Sequence, residues 1–371
     1  MRWRTVALWL FVAGVGCSDD GSSSADTGGA PSSGTAGGPP SSGTFATGGG
    51  SPNPCPNPPD ADGDGDGWTF AEGDCNDCDA NANPGAIEVI GDAATPSDED
   101  CDGMVDEVEL CDTGLAIDDT DPMNGARAIE LCRTASAGDD GWGVLSAVYH
   151  TSPNLVGDPD LQYGLLDSFG NNVVVRKGER MLALSSGRAR APNQPDACTG
   201  NKCQEGGVSY PPVFFPQTVP GCPGSTEIYD DISLELELRA PTNANGYAFD
   251  FKFHSHEFPY YVCSAYNDQF IALVTPPPDG SINGNISFDS TTNPVSVNMA
   301  YFDVCRPGGA TEFAQWCQMT TGGCPSPPDP YCPSGDADLL GTGFDTLSGP
   351  TWGGATSWLT STAPIAPGET F

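Results

Sequence analysis

The residues with the clearest chemical potential are carboxylates at alternate positions. Asp98, Asp100 and Asp102 precede Gly103, and Glu109 follows after five more residues, a spacing that fits the calcium-loop pattern D-x-D-x-[DN]-G-x5-E. In such a loop alternate side chains aim at one point and the glycine permits the sharp turn. The Met104 carbonyl can supply an oxygen, Asp106 occupies the often water-mediated ninth position, and Glu109 can close the site bidentately. A second half-motif stands upstream at Asp62, Asp64, Asp66 and Gly67. Its twelfth position is Gly73, so Asp60, Asp74, Asp77 and Asp79 are the residues available to complete that shell differently. Oxygen donors suit calcium, whereas zinc or copper prefers imidazole or thiolate, and the first histidine in the chain is His150.

A different chemistry is conceivable further along. His254 and His256 share parity beside Glu257, with Asn267 and Asp268 close behind. Two histidines at that spacing could hold zinc or copper with Glu257 as a base, which would make the protein a secreted metal-dependent hydrolase. The site lacks an identifiable third ligand, and two histidines on a strand's polar face ordinarily meet solvent. Glu257 and Asp268 also suit a glycosidase-like pair, or a set that with Asn267 caps turns or binds calcium structurally. The chain has no G-x-S-x-G elbow, and no catalytic constellation is visible. Cys75 and Cys78 form its single C-x-x-C. With neither a second such pair nor a βαβ context, disulfides are the reading, with Cys55, Cys101 and Cys111 as candidate partners.

Composition narrows the partners. The net charge is −37 and 50 of 371 residues are acidic, so the chain lacks the basic footprint that nucleic acid or anionic lipid requires. From Asp60 to Asp121 there are 21 acidic residues and no lysine or arginine. Glycine (48) and proline (35) predict extensive loops, and fifteen cysteines point to an oxidising compartment. Met1-Arg2-Trp3-Arg4 followed by the apolar run Thr5–Gly16 has the form of a signal-peptide leader, too short to span a bilayer as a mature helix. Ser18 to about Pro59 is Gly/Ser/Pro-rich, and disorder is expected because such a segment cannot bury enough surface to offset its ordering entropy. As a flexible coil its ends would sit roughly 35 Å apart.

Beyond Asp121 the elements that must position these groups are mostly strands. Asp121-Pro122 reads as the start of a capped helix over Met123 to Arg133. Ile232, Leu234, Leu236 and Leu238 alternate with polar residues, as do Tyr247, Phe249, Phe251 and Phe253, which predicts half-buried strands. Apolar runs at Gly143–Tyr149, Val173–Val175, Met181–Leu184 and Phe270–Val274 extend the set. The expected fold is mainly β: an antiparallel, jelly-roll-like β-sandwich behind a disordered linker and a small disulfide-rich acidic segment.

Three stretches carry resemblances. Gly14-Val15-Gly16-Cys17 resembles a bacterial lipobox, which implies that Cys17 is lipidated and becomes the first residue of a protein anchored at the outer membrane or cell surface. Removing Cys17 leaves fourteen cysteines, an even number. Gly73-Asp74-Cys75-Asn76-Asp77, Asn83-Pro84-Gly85-Ala86-Ile87-Glu88 and Asp100-Cys101-Asp102-Gly103, in that order, are similar to the metal-binding-motif family of bacterial surface proteins. That resemblance covers about residues 60–109 and implies a compact, disulfide-pinned, cation-binding repeat. Cys111-Asp112-Thr113-Gly114-Leu115, the aromatic stretch Ala248–Phe270, Gly284–Asp289 and Gly353–Leu359 resemble the choice-of-anchor L domain over about 111–371. Its members are exported, and a surface ligand, glycan or protein, is the expected partner. Members continue into a further strand and an Asp-rich closing motif, so the expectation is a fragment. The implied organisation is a signal and lipobox (1–17), a linker (18–59), an acidic metal-binding region (60–110) and a β-sandwich adhesion head (111–371).

Overall fold

The computed structural model describes residues 6–12, 55–90, 96–138, 141–198, 203, 207–209, 214–223, 227–259, 261–264, 268–289, 291–297, 302–306, 332–345 and 353–371. Cys17, Asn267 and the linker up to residue 54 lie outside them. The fold is mainly β, with 26% strand against 6% helix, and its antiparallel sheets include a curled half-barrel. The chain divides into two compact units. One comprises Met1–Val15, Gly85–Ile87 and Glu107–Phe371; the other comprises Gly16–Pro84 and Glu88–Asp106.

In the larger unit the main strands are β1 (Val6–Val12), β2 (Gly143–Thr151), β3 (Tyr163–Leu166), β4 (Met181–Ser185), β5 (Ile232–Arg239), β6 (Gly246–Ser255), β7 (Val304–Cys305), β8 (Gly354–Ala355) and β9 (Leu359–Pro364). One sheet runs β7-β8-β6-β1-β4-β3, with β9 also paired to β6. The apolar run with the form of a leader is therefore a central strand here: Leu8 pairs with Phe253 of β6 on one side and Leu184 of β4 on the other. The alternating strand β5 pairs with β2 in a separate ribbon, and Phe371 exchanges backbone hydrogen bonds with Leu238.

The helix α1 (Pro122–Arg127) is shorter than the sequence predicts. Asp121 caps it by accepting from the Met123 amide, and Glu130 then takes a left-handed conformation (φ 65°) that ends any helical continuation. Period-two patterning places Phe249, Phe251 and Phe253 in one aromatic core with Phe258, Phe270 and Phe302. Strand β4 serves two cores, sending Met181 and Ala183 one way and Leu182 and Leu184 the other.

The opposite face of β6 differs from the half-buried expectation. Asp250, Lys252 and His254 are buried, because the segment carrying Asp338 and Phe344 and the Trp358 side chain cover them. Lys252 is 0% exposed, and its Nζ donates to Asp338 at 2.6 Å. Arg176 reaches Asp250 at 3.1 Å. A strand with charges on one face can still be covered on both, provided each charge meets a partner.

Candidate metal centre

Among its described residues the smaller unit has little apolar core and is tied by covalent links. Cys55 bonds Cys78 and Cys75 bonds Cys101, so the two cysteines of the C-x-x-C go to different partners. Within this frame the two Asp-rich stretches adopt the same local structure. Asp62 accepts from the Gly65 and Gly67 amides, and Asp98 accepts from the Asp102 and Gly103 amides. Gly67 and Gly103 have φ of 98° and 93°, where a side chain would be strained, which is the physical reason for glycine at that position. Asp64 and Asp100 each accept from the amide two residues on.

In the first loop, carboxylate oxygens of Asp62, Asp64 and Asp66 lie within 4.8 Å of one another. Two oxygens bound to one calcium ion at about 2.4 Å can be no further apart than roughly that distance. Asp66 is fixed by Asn83, whose Nδ2 donates to it at 2.8 Å. Behind the loop sit Asp74 and Asp77, 1% and 0% exposed. Each uses one oxygen for a backbone amide, Asn76 for Asp74 and Gly63 for Asp77. The other oxygens, and Oδ2 of Asp64, are buried without a hydrogen-bond partner. Burial pushes the Asp74 carboxyl up to about 6, only partly offset by its hydrogen bond from Asn76, and Asp66, Asp64 and Asp77 raise it further by repulsion. Burial likewise raises Asp66. Asp60 and Asp79 are exposed.

In the second loop the converging carboxylates are Asp98, Asp100 and Glu88. Glu88 is held by the amides of Glu99 and Asp106, at 3.1 and 2.6 Å. Burial raises the Asp98 carboxyl, with Asp100 and Asp102 adding repulsion. Asp102 accepts from the Met104 amide, while the Met104 side chain is exposed. Glu109, the residue the spacing assigns as the closing ligand, is exposed and belongs to the other unit. Glu88 comes from ten residues upstream of Asp98, and no linear pattern would select it. Asp74 and Asp77 had a weak signal as acids beside the out-of-register twelfth position. Both acidic clusters can hold a metal ion, and their all-oxygen chemistry fits a hard cation.

The histidine region is arranged differently. His254 is 0% exposed, edge-on to Phe169 at 5.2 Å, and burial followed by the nearby Lys252 and His256 holds it well below the usual histidine range. His256 stacks on Phe344 at 3.9 Å. Among the described residues neither histidine joins a group of three metal-capable side chains. Glu257 is buried and its amide donates to Ser255 Oγ, which donates to Asp268 at 2.7 Å. Asp268 also hydrogen-bonds Glu257, and burial pushes it up to about 7. A hydrogen bond between two carboxyl groups requires one of them to carry a proton, so the two titrate together.

No family model matches the chain, and neither the curated proteins nor the solved structures contain a match. The site and fold together define a β-rich, disulfide-linked protein with acidic, metal-capable loops.

Proposed function

We propose that this is an exported lipoprotein, anchored through Cys17 at the bacterial outer membrane or cell surface, whose acidic unit binds calcium and whose β-rich unit is a binding or adhesion head for a surface glycan or protein. The observation that carries the calcium reading is the set of buried, unpartnered oxygens on Asp64, Asp74 and Asp77, in a stretch with no lysine or arginine to neutralise them. Buried carboxylates persist only with a proton, a cation or full hydrogen bonding, and at neutral pH a divalent ion supplies what is missing. The disulfides support an oxidising location, and the short basic-then-apolar start supports export. The head supports binding rather than turnover, because His254 and His256 are packed against Phe344.

Calorimetric titration of the full chain with calcium, beside an Asp74→Asn/Asp77→Asn double variant, tests the central claim. The parent should bind calcium and the variant should bind at least one ion fewer. Equal stoichiometry and affinity in both would sink it.

A further inference from the structure

The two Asp-rich loops are separate in sequence, yet one residue holds both. Asn83 is 0% exposed. Its side-chain Nδ2 donates to Asp66 Oδ2 at 2.8 Å, and its backbone amide donates to the Glu99 carbonyl at 2.8 Å. Asp66 is one of the three converging carboxylates of the first loop. Glu99 stands between Asp98 and Asp100, two of the three that converge in the second. The Glu99 amide in turn donates to Glu88, which supplies the third.

A covalent tie runs beside this one. Asp74, buried behind the first loop, is followed directly by Cys75, which is bonded to Cys101 with the two Cα atoms 5.4 Å apart. Cys101 lies between Asp100 and Asp102, and its Sγ accepts from the Cys75 amide at 3.0 Å. The second loop is thus fastened on either side of Asp100, at Glu99 and at Cys101. The two fastenings differ in what they can transmit. The disulfide is the same whether or not an ion is bound, whereas the Asn83 link depends on where Asp66 stands. Asp66 shares a small volume with Asp62 and Asp64. Without a cation these carboxylates repel one another, and an ion draws them onto one centre. The position of Asp66, and through Asn83 that of Glu99, is then set by the ion.

We propose that Asn83 is a positioning residue through which an ion in the first loop orders the second, so that the second loop takes its own ion more tightly once the first is filled. The inference rests on the calcium reading of the acidic unit and adds the regulation of one loop by the other. Repulsion between the two ions works against the coupling. The surplus of carboxylates around them cancels part of it, and salt screens the rest over a Debye length of about 8 Å. Linkage makes the effect reciprocal, so a filled second loop tightens the first by the same factor.

Hydrogen exchange read by mass spectrometry on the full chain reports each loop separately. Asp100→Asn removes a carboxylate from the second cluster and keeps an oxygen for the Asp102 amide, so slowing there comes from the first loop's ion. In this variant, calcium at about ten times its dissociation constant should slow exchange about tenfold in residues 60–79. Residues 96–106 should slow with them, by about fivefold or more. Adding Asn83→Leu, which has nearly the same shape and no donor for Asp66, should keep the first response and remove the second. Should that variant fold poorly, calorimetry with Asn83 in place decides. Asp74→Asn/Asp77→Asn disables the first loop, and the remaining ion should then bind about fivefold or more weaker than the parent's second ion. Three results would overturn the relay while leaving the calcium reading standing: slowing of residues 60–79 alone, slowing of residues 96–106 that survives Asn83→Leu, or a remaining ion bound as tightly as in the parent. A parent chain that binds no calcium would instead overturn that reading, and this inference with it.

Discussion

Replacing Asp268 with asparagine should remove a pH dependence of stability that the parent protein carries. In the fold, Asp268 bonds Ser255 and Glu257, and burial raises it from 3.8 to about 7. A carboxyl raised on folding stabilises the native state only while protonated. Its contribution is fully present below pH 3.8 and is lost as pH rises towards 7. At about 1.4 kcal/mol per tenfold, the full shift corresponds to roughly 4 kcal/mol. Asp268 is only half-buried by surface exposure and titrates jointly with Glu257, so a realistic swing between pH 4 and pH 8 is about 2–4 kcal/mol. Asparagine donates to Glu257 without needing a proton, so Asp268→Asn should become more stable relative to the parent as pH rises. Urea denaturation of both proteins at pH 4, 6 and 8, in fixed calcium, reads this as a pH-dependent difference. The difference cancels the titration of the many other carboxylates common to both. A pH-independent difference, or one that favours the parent at pH 8, would refute the shared-proton pair.

Three further outcomes follow from the same reasoning. Glu88→Gln should weaken calcium binding by the Asp98 loop about tenfold or more, whereas Glu109→Gln should leave it unchanged; titration of the two variants in parallel decides between the folded ligand set and the linear pattern. Asp338→Ala should destabilise the β-rich unit by about 3–5 kcal/mol, because it leaves the Lys252 ammonium buried without its partner, while Lys252→Met/Asp338→Leu should recover most of that loss. Thermal melts of the single and double variants measure it, and an additive pair would contradict the coupling. Cys17→Ser should shift the protein from the membrane fraction to the soluble exported fraction; continued membrane retention would count against the lipid anchor.

Much of the β-rich unit was legible because period two survives in its sequence. Ile232–Leu238 and Tyr247–Phe253 alternate cleanly, and both are strands. The error lay in what covers them. Asp250, Lys252 and His254 look like a solvent face, but their covering partners Asp338, Phe344 and Trp358 come from about ninety to a hundred residues later, a distance over which local pattern carries no information. Helix α1 fell short for the opposite reason. Its cap at Asp121 is local and was readable, whereas its end is set by the disulfide and by Glu130, which must leave helical backbone to reach the turn at Gly178. The acidic loops show the same division. Asp62 to Gly67 and Asp98 to Gly103 are self-contained turns and follow from spacing alone, whereas Glu88 joins the second acidic cluster, and Asp74 and Asp77 are buried near the first, through chain reversals pinned by Cys55–Cys78 and Cys75–Cys101.

The run Val6–Val12 shows how one sequence can satisfy two physical demands. A strand paired along both edges within a sheet is suited by an unbroken apolar run, and seven uncharged residues make one here. The same composition and length serve an export signal. Its register is extensive, with Val6 to Val12 paired along β6 and Ala7 to Leu10 along β4. If export removes everything before Cys17, β4 and β6 lose the partner that satisfies their facing backbone groups. Those groups are flanked by fully buried residues, Leu182 and Ala183 on one strand and Phe251 and Phe253 on the other. An open gap at such a position is untenable, since each buried, unpaired amide costs about 1–3 kcal/mol. A chain without that strand must therefore close β4 onto β6 directly or receive another extended apolar segment between them. A chain beginning at Ser18 distinguishes the two: direct closure keeps the β6 amides protected in the monomer, and strand capture makes their protection depend on an added apolar peptide. Rapid exchange along β6 under both conditions would contradict this requirement for a partner.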